Sequence, residues 1–389
     1  MPLPAARSDY SDRSRPCNPN IFRGRNADDG DSGVSGTDLL HVKLDGEAKL
    51  LFPERCTLSV SCYEVLEERQ AIAEVFEQLL TGLVRFGLDL RALDGITLAH
   101  DWKVAAAAIQ SVPENHIPLE MDEVPESMEL ARTVPVWRDT EMRFHIFLRA
   151  GLGAMALSPE AEHQRVAYAC VAHEAAHVDH DGHLWRTFPG IYGPHLDCGD
   201  RSRQAFLKAI DVWSEYAACR STAYYRPEAI EDFEDSFCRA LEGSLAASKD
   251  QIAAYRRDQK ALPAFVGMQQ LFGDLMIHAG YLMGHLAGIE LDFERGAPRA
   301  AELLRERPSI KGIFLRLRRV LHELWLGEYG WKSIDVFAPI YDLICEMMAL
   351  HGLVFARCDS EWRIVMCDED FSVSDIQDAL ASLMNRQNA

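Results

Sequence analysis

Hydrophobic and polar positions divide this chain into a few strands and many helices. Residues 56–62 alternate with period two, predicting a short strand. Across residues 63–86, Val65, Ile72, Val75, Phe76, Leu79, Leu80 and Leu83 recur at helical spacing. Residues 113–140, rich in Pro, Glu and Met, read as loop. From Met142 to Arg149 the pattern alternates again. Met142, Phe144, Ile146 and Leu148 form an apolar face; Arg143, His145, Phe147 and Arg149 form the other. This predicts a strand with one buried face, ended by Gly151 and Gly153.

A helix is then expected over Ser158–Val178. Ser158, Pro159 and Glu160 supply a cap, a first-turn proline and a first-turn acid. Val166, Cys170, His173 and His177 lie on one stripe, and Gly182 in the following polar run is the expected C-cap. A second long helix covers residues 201–225 and stops at Pro227. Residues 228–350 read as almost wholly helical, broken near Pro263, Gly296 to Pro298, and Gly327 to Gly330. Leu353–Arg357 and Trp362–Cys367 predict a hairpin, and Ser374 with Gln377 a capping-box start to a last helix.

The fold class expected is α+β and mostly helical. Three regions follow: a disordered tail at 1–38, a first domain at 39–235, and a mainly helical domain at 236–389 with the late hairpin. Ten scattered cysteines with no CxxC pair suit reduced thiols of a cytoplasmic protein. Without an apolar leader or a run of about 18 apolar residues, neither secretion nor a membrane span is expected. The formal charge of −20 argues against nucleic acid as partner, since phosphate binding uses clustered Lys and Arg.

Chemistry concentrates in His173-Glu174-Ala175-Ala176-His177, an HExxH motif. Positions i and i+4 of a helix share a face, so both imidazoles can reach one ion. Glu174 is then the candidate general base for a water held by that ion. A catalytic zinc needs a third ligand, and two residues compete. Glu215 lies on the next strong helix, beside the small Ala217 and Ala218. His183 extends the motif to HExxHxxHxxH and could return to the ion through a turn. Asp211, one turn before Glu215, is a candidate to orient a ligand imidazole. Tyr216, Tyr224, Tyr225 and His195 are candidate oxyanion donors.

HExxH on a helix after a strand resembles the zincin metallopeptidases. Ser214-Glu215-Tyr216-Ala217-Ala218 on a following helix is similar to their gluzincin branch, and the layout is closest to the IrrE/ImmA-type peptidases. The resemblance covers about residues 142–226. It implies a zincin-like core with a small sheet and an active-site helix, soluble and cleaving a specific protein partner. It implies Zn²⁺ as cofactor, His173, His177 and Glu215 as its ligands, and Glu174 as base. The HExxHxxHxxH spacing also resembles three-histidine metzincins, but His180 stands where they carry glycine.

Under this reading the 142–149 strand is the expected edge for an extended peptide, with Arg143 and Arg149 favouring acidic partners. Two other classes compete: a zinc hydrolase of a non-protein substrate, and a non-catalytic protein stabilised by zinc, with Cys170 or Cys219 completing a closed shell. The sequence leaves the oligomeric state open.

Overall fold

The computed structural model describes residues 37–39, 51–60, 62–109, 130–138, 141–192, 196–199, 201–358 and 361–366, without side chains for 37–39, 355–358 and 361–366. The tail up to residue 36, His195 and the Ser374 helix lie outside the described residues. The chain divides into two compact units. One holds residues 1–196 and 217–228, the other residues 197–216 and 229–389. The helical unit thus starts earlier in sequence than residue 236, taking in 197–216.

The first unit is built on a mixed sheet of five strands, in the order β1-β2-β3-β5-β4. They are β1 (Thr37–Leu39), β2 (Thr57–Ser59), β3 (Leu93–Ala99), β4 (Ala131–Arg138) and β5 (Glu141–Arg149). β3 runs parallel to both β2 and β5, whereas β4 returns antiparallel to β5. Its helices are α1 (Leu66–Arg85), α2 (Trp102–Ile109), α3 (Ala150–Ala156) and α4 (Ala161–Thr187).

Two expectations about β5 are corrected. It is an inner strand, hydrogen-bonded on both sides, so it has no free edge for a peptide. It is also buried on both faces at its centre. Phe144, Ile146 and Leu148 are covered on one face, and Phe147 packs on the other with Val134, Val136, Trp102 and Ala106. α2 supplies that second cover. A parallel neighbour and helices on both faces remove the polar side that alternation implied. The arginines are engaged locally: Arg149 lies 4.2 Å over the Trp102 ring, and Arg143 pairs with Glu141 at 3.3 Å. Part of the expected 113–140 loop is β4, and α3 occupies the Gly151–Gly153 stretch read as a strand stop.

α4 is longer than its caps suggested. The polar run at 179–183 continues the helix, and Gly182 is an interior, buried residue. A Cβ on Gly182 would stand 3.2 Å from the Ala92 Cβ, so glycine here permits close packing. Asp179 pairs with His183 at 3.4 Å, and Arg186 donates to Asp89 at 2.7 Å. These partners satisfy the polar run where a helix end would otherwise expose it to water.

A buried polar network crosses the sheet. Arg138 holds Asp94 through two bonds, at 2.6 and 2.7 Å. Asp94 also contacts His145 Nδ1 at 2.9 Å, and Thr97 Oγ1 stands 2.9 Å from His145 Nε2. A neutral imidazole donating to Asp94 and accepting from Thr97 satisfies every partner. Burial opposes the Asp94 charge, but the bonds from His145 and Arg138 outweigh it and hold the carboxyl at about 2. Burial holds His145 below the ordinary histidine value.

The second unit is an assembly of helices: α6 (Ile230–Asp258), α7 (Ala261–Gly288), α8 (Phe293–Gly296), α9 (Pro298–Arg305), α10 (Pro308–Leu326) and α11 (Ala338–Leu350). α6 and α7 form a long hairpin turned at Gln259, whose φ of 55° ends α6 in the left-handed region. A hairpin of β6 (Leu353–Cys358) and β7 (Glu361–Met366) follows, at the expected place. α5 (Arg203–Thr222) is one unbroken helix whose residues up to Tyr216 belong to this unit. That part is fixed by Trp213, buried against Trp331 at 5.5 Å. It is also fixed by Gly280 of α7, where any Cβ would sit 2.7 Å from the Val212 carbonyl oxygen.

Burial also holds His278 and His351, in α7 and after α11, below the ordinary histidine value. With His145 and His180, also lowered by burial, these make four histidines that can each bind a proton near pH 6.5 when unfolded. The unfolded state then binds more protons below that pH, so stability falls as pH drops through 6.5. Asp94 adds a loss of the same sign between about pH 4 and 2, from its pKa of about 2 against an ordinary value of 3.8. Melting in chelator should therefore be level from pH 8 to 7 and decline steadily below 6.5. A melting temperature at pH 5.5 equal to that at 7.5 would contradict this account.

Candidate metal centre

α4 brings His173 and His177 onto one face, with the Nε2 atoms 3.1 Å apart and the rings nearly perpendicular at 87°. Glu215 comes from α5, whose second half packs beside α4. Cys219 Sγ, one turn past Glu215, lies 3.9 Å from His173 Nδ1, and Ser221 Oγ lies 2.9 Å from His180 Nε2. In this arrangement the ligand atoms of His173, His177 and Glu215 lie within 4.8 Å of one another, and all three residues are buried.

The donor set suits a divalent transition ion. Two imidazoles and one carboxylate make a three-ligand shell that leaves a position open. Two nitrogens bound tetrahedrally at about 2.0–2.1 Å stand about 3.3–3.4 Å apart, close to the separation seen here. Burial lowers the local dielectric and strengthens each charge–dipole contact. The same donors accept several first-row metals, so they define a metal site without choosing the ion.

Glu174, between the two histidines in sequence, is buried on the sheet side of α4. Its Oε2 accepts a hydrogen bond of 2.8 Å from Thr133 Oγ1, which also lies 3.0 Å from the Glu174 carbonyl oxygen. Thr133 is on β4, opposite Ile146 of β5. The Pro, Glu and Met content of 113–140, which predicts loop, hides this strand residue. Its signal was Thr-Val flanking Pro135, a strand-like run whose proline suits an outer strand. Thr133→Val keeps the shape and removes the donor to a buried carboxylate. That change is expected to cost about 1.5–3 kcal/mol in denaturant unfolding. A loss below about 0.5 kcal/mol would show that the bond does not hold Glu174.

His183 does not approach this group. Six residues past His177 on a continuing helix, it is rotated by about 240°. Its Nε2 faces Asp179 at 3.4 Å and Asp89 at 3.7 Å. The turn that would have returned it to the ion does not form. Cys219 lies on the Nδ1 side of His173, away from the facing Nε2 atoms, and Cys170 is half-buried elsewhere on α4. Asp211 is buried on α5, one turn before Glu215. Of the candidate oxyanion donors, Tyr216 packs on Trp213, while Tyr224 and Tyr225 contact each other with tilted rings 4.5 Å apart. No helix among the described residues is long and apolar enough to cross a membrane.

Compared with known proteins, the chain matches no protein-family profile, no curated protein and no solved structure.

Proposed function

We propose that this chain is a zinc-dependent metallopeptidase that hydrolyses peptide bonds of a specific protein partner. The observation that carries the reading is the meeting of His173, His177 and Glu215 beside Glu174. Two ligands and the base come from one helical turn and the third ligand from another helix, which is the arrangement the zincin resemblance implies. A bound zinc would polarise a carbonyl and lower the pKa of water toward 7.

The chain's own groups supply the rest. In this reading Glu174 takes a proton on its carboxylate and returns it to the leaving amine. Thr133 donates to one oxygen of that carboxylate and fixes its position. β4 is one of the two edge strands of the sheet among the described residues, β1 being the other, and it carries Thr133. It therefore replaces β5 as the strand on which an extended peptide would align.

The burial of all four residues favours a second reading, a non-catalytic protein that uses the metal for stability. One experiment separates them. Zinc-loaded protein is incubated with a digest-free protein extract, and new N-termini are collected by mass spectrometry. Cleavage at a restricted set of sites, absent with chelator and with Glu174→Gln, is the expected result. Stoichiometric zinc with no zinc-dependent cleavage would overturn the peptidase reading and leave the structural one.

A further inference from the structure

The second unit carries a charge anomaly. Between Arg295 and Arg319 there are eight basic residues and two acidic ones, a local formal charge of +6 in a chain of −20. Half of the eight are neutralised locally. Arg299 pairs with Glu234 and Asp235, Arg305 with Glu302, Arg307 with Glu306, and Arg316 with Glu346. Lys311 and Arg318 make no ion pair among the described residues, though Arg318 lies within electrostatic reach of Asp292.

These two cations are not spread over a flat surface. Lys311, Phe314, Leu315 and Arg318 recur at helical spacing on α10, and all four line one cleft. The cleft is open to solvent. Phe293 of α8, Leu304 of α9, Phe314 of α10 and Met283 of α7 form an apolar floor. Arg305, Lys311 and Arg318 stand in its wall, opposed by the single carboxylate of Glu294. Leu315, 48% exposed, forms an apolar lip between the two unpaired cations.

We propose that this cleft binds a small amphiphilic monoanion: an alkyl or aryl body ending in one carboxylate or phosphate group. An apolar body lying along this open cleft covers surface that otherwise faces water. The anionic end meets Lys311 and Arg318, about two turns apart on α10 with Leu315 about one turn from each. A neutral apolar ligand would partly desolvate both cations and bring no charge to add to Glu294 and Asp292. A polyanion such as nucleic acid would meet the strongly negative remainder of the chain.

Decanoate below its micelle concentration is the probe, titrated calorimetrically into the full-length protein in chelator. Read in this way, binding neither needs nor tests the metal centre. Saturable binding at one site per chain is expected. The exposed-side substitutions Lys311→Glu with Arg318→Glu should weaken it at least about tenfold per charge removed, with melting unchanged. The neutral pair Lys311→Gln with Arg318→Gln should fall between. No saturable binding up to millimolar decanoate would overturn the proposal. So would equal affinity in the double variants, or capture by phosphatidylglycerol vesicles with no binding of the monomeric anion.

Discussion

Glu215→Ala is expected to strip this protein of its metal. Wild-type protein purified with zinc should carry about one equivalent per chain by elemental analysis, and the alanine variant none after dialysis. The carboxylate is the only anionic member of the three-residue group, and two imidazoles alone make an incomplete shell. Altering groups that merely orient a ligand costs about 10–100-fold in affinity, so deleting a ligand should exceed about 100-fold. Because binding energy to a native site adds to folding stability, the variant should also lose the zinc-dependent rise in melting temperature. His183→Ala is the matched control. Its imidazole faces Asp179 and Asp89, so zinc content should be unchanged. Zinc retained in Glu215→Ala but lost in His183→Ala would return the chain to the three-histidine pattern.

The second large effect concerns the base. Glu174→Gln should keep one zinc per chain and lower peptide hydrolysis by about 10²–10⁴-fold, the usual contribution of a positioned general base. Glutamine keeps the size of the side chain, and its amide oxygen can still accept from Thr133 Oγ1. Packing and metal binding should therefore be unchanged while the ability to take a proton is gone. A Gln variant with wild-type turnover would end the proposed mechanism while leaving the metal centre intact.

Much of this was legible in the sequence where the governing interactions are local. α1, the core of α4, α5, the breaks around Pro298 and Gly327, and the 353–366 hairpin follow from periodicity and turn residues. The failures share a cause. β3 and β4 lie in the sheet interior or against helices, so burial on both sides erased the alternation that marks a half-exposed strand. The end of α4 was misplaced because Asp179, Gly182 and Arg186 look like a polar stop. In the fold they answer His183, Ala92 and Asp89, the last two distant in sequence.

The metal centre shows the division. The i, i+4 spacing of His173 and His177 on a helix by itself determined that two imidazoles would face one point, and placed Glu174 beside them. Nothing local could choose between Glu215 and His183, because a helical carboxylate reads the same whether solvated or buried. That choice fell to tertiary structure. α4 continued past residue 182, turning His183 toward Asp89, while α5 packed beside α4 and delivered a carboxylate from 38 positions downstream of His177. Local periodicity sets which side chains share a face; only packing between distant segments decides what that face meets.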